Sequence, residues 1–296
     1  MRPGAPSGGP WVGPALDTWD TSLDRKSYLG GVEQVRAHIA AGEVYQANVC
    51  RVLRAPLPDL ERSDIEGLSS LLTVGNPAPY AGFVRLPDGC HANVPAGGLH
   101  VATASPELYL RRVANTVESG PIKGTGRTAV DLTDKDRAEN VMIVDLVRND
   151  LGAVCQTGSV TVPALLAVEP HPGLVHLVSR VSGTLCDGAG WPDLFAATFP
   201  PGSVTGAPKI SAVQLLAGIE PVPRGPYCGA IGWINGDRGC LAVGIRTFWR
   251  EGNDLMFGTG AGITWGSDAA KEWDETELKA ATLLAVAAGR WQGGLS

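Results

Sequence analysis

Paired cysteines, long apolar runs and clustered positive charge are all missing from this chain. Its six cysteines stand at positions 50, 90, 155, 186, 228 and 240 with no Cys-x-x-Cys spacing. That excludes a disulfide framework and a zinc pattern, and leaves the expectation of reduced thiols in a cytoplasmic protein. No apolar run approaches the ~20 residues of a membrane-spanning helix. A formal net charge of −6 without any Lys/Arg block argues against nucleic acid or an anionic membrane as the main partner. The first 18 residues, rich in Pro and Gly, lack the apolar centre of a signal peptide and are expected to form a flexible leader over 1–18. What is present suits an ordinary globular protein: 296 residues, 44% hydrophobic and 18% charged, enough for a large core in one or two domains.

Helical and strand patterns alternate along the chain without sequence repeats. Leu29, Val32, Val35 and Ile39 recur near helical spacing, and Gly42 stands where a helix would end. The β-rich segment Val44 to Leu53 should follow as a strand, then a helix around Ile65 to Leu72 and a strand near Tyr80 to Leu86. Residues 99–118 read as a hairpin broken at Ser105-Pro106-Glu107, because proline ends a strand or forms an edge there.

Residues 121–125, PIKGT, hold the most informative side chain, Lys123. An ordinary lysine is neutral in only about one part in a thousand at pH 7.4, whereas a desolvated one becomes a usable nucleophile. The alternative is a loop lysine whose ammonium points at water. Two further segments each place two carboxylates on one helical face. In TDKDRAENVMIVDLVRNDLG, Thr133 or Asp134 can cap a helix that carries Asp136 and Glu139 three residues apart. In SDAAKEWDETELKAATLLAVAAG, Ser267 or Asp268 can cap a helix bearing Glu272, Glu275 and Lys279. Carboxylates without His or Cys suit a hard divalent ion that keeps several waters, Mg²⁺ rather than zinc. The same spacing also suits acids answering a helix dipole and an i,i+4 pair between Glu275 and Lys279.

The stretch TFPPGSVTGAPKISAVQLLAGIE leads small residues into a helix with Pro208 near its start and Lys209 just inside. Its spacing does not make a Walker loop. Gly258, Gly260 and Gly262 in FGTGAGITWGS read as a second glycine-rich turn.

Ten blocks in order, YQANVCR, SPELYL, PIKGT, DRAENVMIVDLVRNDLG, VHLVSRVSG, PPGSVTGAPK, PYCGAIGW, LAVGIRTF, GTGAGI and KEWDETELK, give the chain a close resemblance to the chorismate-utilising enzymes. These include anthranilate, isochorismate, salicylate and aminodeoxychorismate synthases. The resemblance implies an α+β fold, a four-layer α/β/β/α core with two orthogonally packed antiparallel sheets, as a single domain over 19–293 with its active site in a cleft. It implies chorismate as substrate and Mg²⁺ held directly by Glu139 and Glu275, and through water by Asp136 and Glu272. Glu107 would be the general acid and Lys123 the nucleophile. Tyr227 and Arg246 would bind the enolpyruvyl carboxylate, with backbone amides of Gly260, Ala261 and Gly262, and Lys279 would add charge near the ring carboxylate. His176 and Thr205 would line the ring pocket, with Gly124 and Thr125 beside the substrate.

Within the family, the lysine that activates water in isochorismate and salicylate synthases is matched here by Gln46, and a neutral amide cannot be that base. The residue matching Lys123 is typically alanine in anthranilate synthases and an amine in aminodeoxychorismate synthases of the PIKGT type. The resemblance therefore points to amination of chorismate at carbon 4, with ammonia supplied by a glutamine amidotransferase subunit, toward 4-aminobenzoate and folate. An anthranilate-type enzyme and a catalytically silent chorismate-binding subunit are the alternatives.

Overall fold

The computed structural model describes residues 9–171 and 174–290. Its elements run β1 (Asp20–Thr21), α1 (Arg25–Ala40), β2 (Gln46–Pro56), α2 (Ile65–Gly75), β3 (Tyr80–Leu86), β4 (Leu99–Ser105), β5 (Leu108–Val113), β6 (Thr116–Gly120) and β7 (Ile122–Gly126). There follow α3 (Asp134–Gly152), β8 (Thr161–His171), β9 (Leu174–Thr184), α4 (Trp191–Thr198), β10 (Gly206–Ala207), α5 (Lys209–Ala217), β11 (Ala230–Asn235), β12 (Arg238–Val243), β13 (Thr247–Glu251), β14 (Asp254–Ile263) and α6 (Ala269–Ala287). The described chain divides into two compact units, one from Met1–Pro106, Ile210–Tyr227 and Gly244–Ser296, the other from Glu107–Lys209 and Cys228–Val243. Each is an antiparallel sheet with helices, an α+β construction.

In the first unit the sheet runs β1-β2-β14-β13-β4-β3. Strand β2 is buried along most of its length and feeds two apolar clusters. Ala47 and Val49 join Tyr28, Val32 and Val35 of α1 and Ala212 and Leu216 of α5. Leu53 joins Leu68 and Leu72 of α2, Phe248, Phe257, and Leu283 and Val286 of α6. Helix α1 starts where Asp24 accepts the Ser27 N–H at 2.7 Å, and it is followed by Gly42 at φ +77°, in the left-handed region that favours glycine.

The sequence-based leader over 1–18 needs correction for residues 9–18. Trp11 bridges to Ser63 in backbone pairing, its indole N–H donates to Ala287 O at 2.7 Å, and its ring packs on the second cluster. A buried-side indole with a satisfied N–H outweighs the loop-like composition around it. Residues 1–8 and 291–293 of the expected leader and domain lie outside the described residues.

In the second unit the order is β11-β12-β5-β6-β9-β7, with β8 on the other edge of β9. The hairpin expected over 99–118 is not formed. Strand β4 pairs with β3 and β13, whereas the hairpin is β5–β6, closed around residues 114–115. Pro106 has no N–H for a ladder, and the chain leaves one unit there and enters the other at Glu107. Helix α3 buries Ile143, Val144 and Leu151, and a polar peg fixes its rotation. Asn140 donates to Leu177 O at 3.0 Å and accepts from the Ser179 hydroxyl at 2.5 Å. Among the described residues the six cysteines form no disulfide, and no helix is long and apolar enough to cross a membrane.

Candidate active site

The second unit brings Glu107, Lys123 and Ser203 together. Glu107 opens the unit just before β5, its carbonyl accepting the Val243 N–H at 3.0 Å. Its side chain is only 5% exposed. Burial pushes the carboxyl up to about 7, against the opposing pull of the Ser203 hydroxyl, the Lys123 charge and the Ile122 N–H. A carboxyl poised there can hold a proton near neutral pH and release it. Lys123 is half-buried on β7, and its Nζ reaches Ser203 O at 3.5 Å. The amine and the acid therefore lean on the same residue, Ser203 by its carbonyl to one and its hydroxyl to the other.

Gly124 explains how the carboxylate helix comes so near this lysine. It sits at φ +82°, and a Cβ there would meet the Asp136 Cβ at 2.8 Å. Only glycine satisfies both the backbone and the approach. Asp136 and Glu139 are half-buried in the first turns of α3. Thr133 caps the helix, and one oxygen of Asp136 accepts from the Thr133 N–H and hydroxyl at 2.8 and 2.7 Å in a capping box. Glu139 lies 3.7 Å from Lys135. On the neighbouring strands, buried His176 shares a 2.8 Å hydrogen bond with exposed Thr125, its register partner. Thr205 is buried, and its hydroxyl closes its own turn on Pro201 O at 2.9 Å.

In the first unit, Arg246 stands just before β13 with φ +51°, a left-handed conformation uncommon for a residue with a side chain. Burial alone holds its guanidinium below the usual range, and among the described residues it carries no ion pair and no side-chain hydrogen bond. A desolvated cation without a counterion, held in a strained backbone, is chemically suited to meet an anion. Tyr227 is buried with its ring over Gly258.

The glycine-rich turn expected at 258–262 is instead strand β14, a correction with a steric cause. A Cβ on Gly258 would fall 2.1 Å from the Tyr227 ring, and one on Gly260 2.7 Å from Val49 O. Gly260, Ala261 and Gly262 pair with Cys50, Val49 and Asn48 of β2, whereas β13 pairs with β14 only as far as Phe257. One edge of this stretch thus lies outside the β13 ladder, beside the end of the strand that Arg246 precedes.

Asp268 caps α6, Glu272 is buried and Glu275 exposed. Lys279 binds Glu275 at 2.6 Å and donates to Gly260 O at 3.1 Å. Among the described residues no group of three or more His, Cys, Asp or Glu side chains gathers as a metal centre. The donors that α3 and α6 offer are carboxylates alone, a set suited to a hard oxygen-preferring cation.

Lys209 opens α5, as its place after Pro208 leads one to expect. It faces inward, pairing with Asp150 at 2.8 Å and donating to Thr198 O at 2.9 Å. Ser203 was not singled out by sequence reasoning, because a serine between glycine and valine carries no pattern. Gln46 was named only by resemblance; it is fully buried, and neither side-chain amide atom has a hydrogen-bond partner among the described residues.

The sequence matches the chorismate binding enzyme family over residues 10–285. It is 38% identical over 280 residues to anthranilate synthase component 1 1 of Haloarcula marismortui, covering 90% of this chain and 54% of that protein. It is 35% identical, also over 280 residues, to aminodeoxychorismate synthase component 1 of Klebsiella aerogenes, covering 90% of this chain and 59% of that protein. The chain thus spans little more than half the length of these curated relatives. The crystal structure of anthranilate synthase component I from Streptococcus pneumoniae is similar with a TM-score of 0.79 at 29% identity, covering 96% of this chain and 63% of that one. On this match the chain belongs to the chorismate binding enzyme family.

Proposed function

We propose that this chain aminates chorismate to 4-amino-4-deoxychorismate, the aminodeoxychorismate synthase reaction, with ammonia delivered by a glutamine amidotransferase subunit. The observation that carries the reading is the convergence of Lys123 and the raised acid Glu107 on Ser203. Addition of water at the ring would call for a base in place of Gln46, and direct attack of ammonia at carbon 2 would leave Lys123 without a task.

Arg246 and Tyr227 of the first unit take the enolpyruvyl carboxylate, a bidentate guanidinium contact being worth more than a neutral hydrogen bond. In the second unit the neutral amine of Lys123 adds at carbon 2 while the carbon 4 hydroxyl leaves with the proton of Glu107 as water. Ammonia then adds at carbon 4, and the carbon 2 bond to Lys123 breaks, returning the lysine. Glu139 and Glu275, with Asp136 and Glu272, would hold Mg²⁺, which would supply positive charge toward the ring carboxylate. Glu139 lies beside Lys135 and Glu275 beside Lys279, each lysine one helical turn away.

The test incubates the chain with chorismate, Mg²⁺ and an ammonium salt and identifies products by mass. 4-Amino-4-deoxychorismate is expected. Anthranilate with pyruvate, or isochorismate, overturns the assignment of reaction, and tight chorismate binding with no turnover in the presence of an amidotransferase supports a silent binding subunit.

A further inference from the structure

A cavity inside the second unit lies against Glu107 and Ser203, and its other polar residues, Ser119, Asp150 and Thr198, have no place in the chemistry above. About 20 Å³ of it is open to the centre of a water molecule, where one water needs about 10–15 Å³ on that measure. Its polar walls are Glu107, Ser119, Asp150, Thr198 and Ser203, more than the two to four partners a buried water requires. Ser203 already donates to the Glu107 carboxyl. Asp150, also in the wall, is ion-paired with Lys209 at 2.8 Å, and the two side chains keep 11% and 17% exposure and so reach solvent. Burial raises the Asp150 carboxyl above its ordinary value even with Lys209 beside it. Thr198 closes the wall: its hydroxyl donates to Leu194 O at 2.7 Å and so accepts from Tyr109 at 2.6 Å, which fixes which way each proton points. Tyr109 itself, pushed up to about 12 chiefly by burial, stays protonated and exchanges nothing at neutral pH.

We propose that this cavity holds one water that links Glu107 to solvent through Ser203 on one side and Asp150 on the other, so that Asp150 resupplies the proton Glu107 gives up. The step balances without any change at carbon. The hydroxyl proton of Ser203 passes to the Glu107 carboxylate, the water gives a proton to the Ser203 oxygen, and Asp150, protonated from solvent, gives one to the water. One proton has then moved from solvent to Glu107, and each intervening group is restored. The geometry favours this side because Glu107 is 5% exposed and bonded by Ser203 and the Ile122 backbone, while Asp150 lines the same cavity and keeps 11% side-chain exposure. Asp150 is thus a positioning and proton-supplying residue, since it touches no reacting atom. The proposal rests on Glu107 acting as a proton donor, and its test is arranged to separate the two.

Two variants bear on it: Asp150→Asn, which keeps shape but cannot carry the proton, and Ser119→Val, which fills the cavity and leaves the ion pair alone. The first readout needs no turnover. Hydrogen–deuterium exchange of the protonated Glu107 carboxyl, followed by its infrared carbonyl band in protein saturated with chorismate and lacking ammonia, should slow at least about tenfold in both variants, a factor within the range of positioned proton transfer. The second readout is kcat at low buffer, which should fall about tenfold with KM unchanged and recover when imidazole is raised in Asp150→Asn. The wild type should not respond to imidazole. Exchange and kcat equal to wild type in both variants overturn the relay. Slowed exchange in a protein that makes no aminated product leaves the relay standing and overturns the reaction instead.

Discussion

Replacing Glu107 by Gln should make the protein gain stability relative to wild type as pH rises, and the size of the gain follows from burial. The folded carboxyl is held at about 7 against an ordinary value of 4.5, mainly because desolvation penalises its charge. Below pH 4.5 folded and unfolded chains both carry the proton, and the side chain contributes no pH dependence. Between 4.5 and 7 the unfolded chain has lost the proton while the folded one retains it, so the folded state binds more protons and its stability falls with pH. At 1.36 kcal/mol per unit over about 2.5 units, the accumulated loss is about 3 kcal/mol, and it is complete above about pH 8. Glutamine has no such proton and can still bond Ser203. Equilibrium urea unfolding of both proteins at steps from about pH 4.5 to about pH 8.5 measures the difference between them, which cancels every other titrating group. The transition compared must be the one that reports the second unit, because a chain of two units need not unfold in one step. The expected variant-minus-wild-type difference rises by about 3 kcal/mol and then levels. A flat difference, or one that falls with pH, would refute the idea that Glu107 is buried as an acid, and with it the role of proton donor. The same titration predicts that wild-type kcat/KM declines above about pH 7 as the free enzyme loses this proton.

Four other changes test separate parts of the site. Lys123→Ala should abolish formation of 4-amino-4-deoxychorismate or shift amination to carbon 2, and unchanged products by mass spectrometry would remove the covalent role. Arg246→Met should raise KM for chorismate by about 30- to 150-fold, the equivalent of about 2–3 kcal/mol for a charge-assisted contact; an unmoved KM would show that the guanidinium binds something else. Gly124→Ala should lower stability by more than about 1 kcal/mol and weaken metal binding together, since it strains φ +82° and pushes Asp136 away. Glu275→Gln should raise the Mg²⁺ concentration for half-maximal activity, and an unaltered requirement would remove it from the ligand set.

Much of the local structure could be read from the chain. The α1 stripe of Val32 and Val35, the cap regions Thr133–Asp134 and Ser267–Asp268, of which Thr133 and Asp268 are the caps, and strand Tyr80–Leu86 all follow from periodicity, capping chemistry and turn residues acting within a few residues of one another. The misreadings share a cause, which is that the deciding partner is far along the chain. Trp11 looks like part of a loop until Ala287 supplies an acceptor. Gly258 looks like a turn until the Tyr227 ring is seen to need its missing Cβ. The break at Pro106 looks like a hairpin tip because sequence alone does not say that the next strand belongs to another sheet. For the site, the resemblance supplied Glu107 and Arg246, and the role of general acid already requires Glu107 to be raised by burial, as it is. The lack of a counterion beside Arg246 is a property of the packed molecule and was not legible.

The pairing of Glu107 with Lys123 also says why an enzyme would tolerate a buried acid that weakens it. For the proposed reaction the pair must begin as a carboxylic acid and a neutral amine, yet in water the same atoms prefer to be a carboxylate and an ammonium. Those two forms differ only in where one proton sits, and neither needs exchange with bulk solvent. Withdrawing water penalises the charged form twice, once for each ion, and their mutual attraction offsets this only in part. Burial outweighs the hydroxyl of Ser203, which donates to the acid and pulls toward its charged form, while the Ser203 carbonyl accepts from the amine. A bound substrate that displaces remaining water would move the proton further onto Glu107. On this reasoning the burial that lowers stability above pH 4.5 is the same burial that readies nucleophile and acid together, and a variant that relieved one would disable the other.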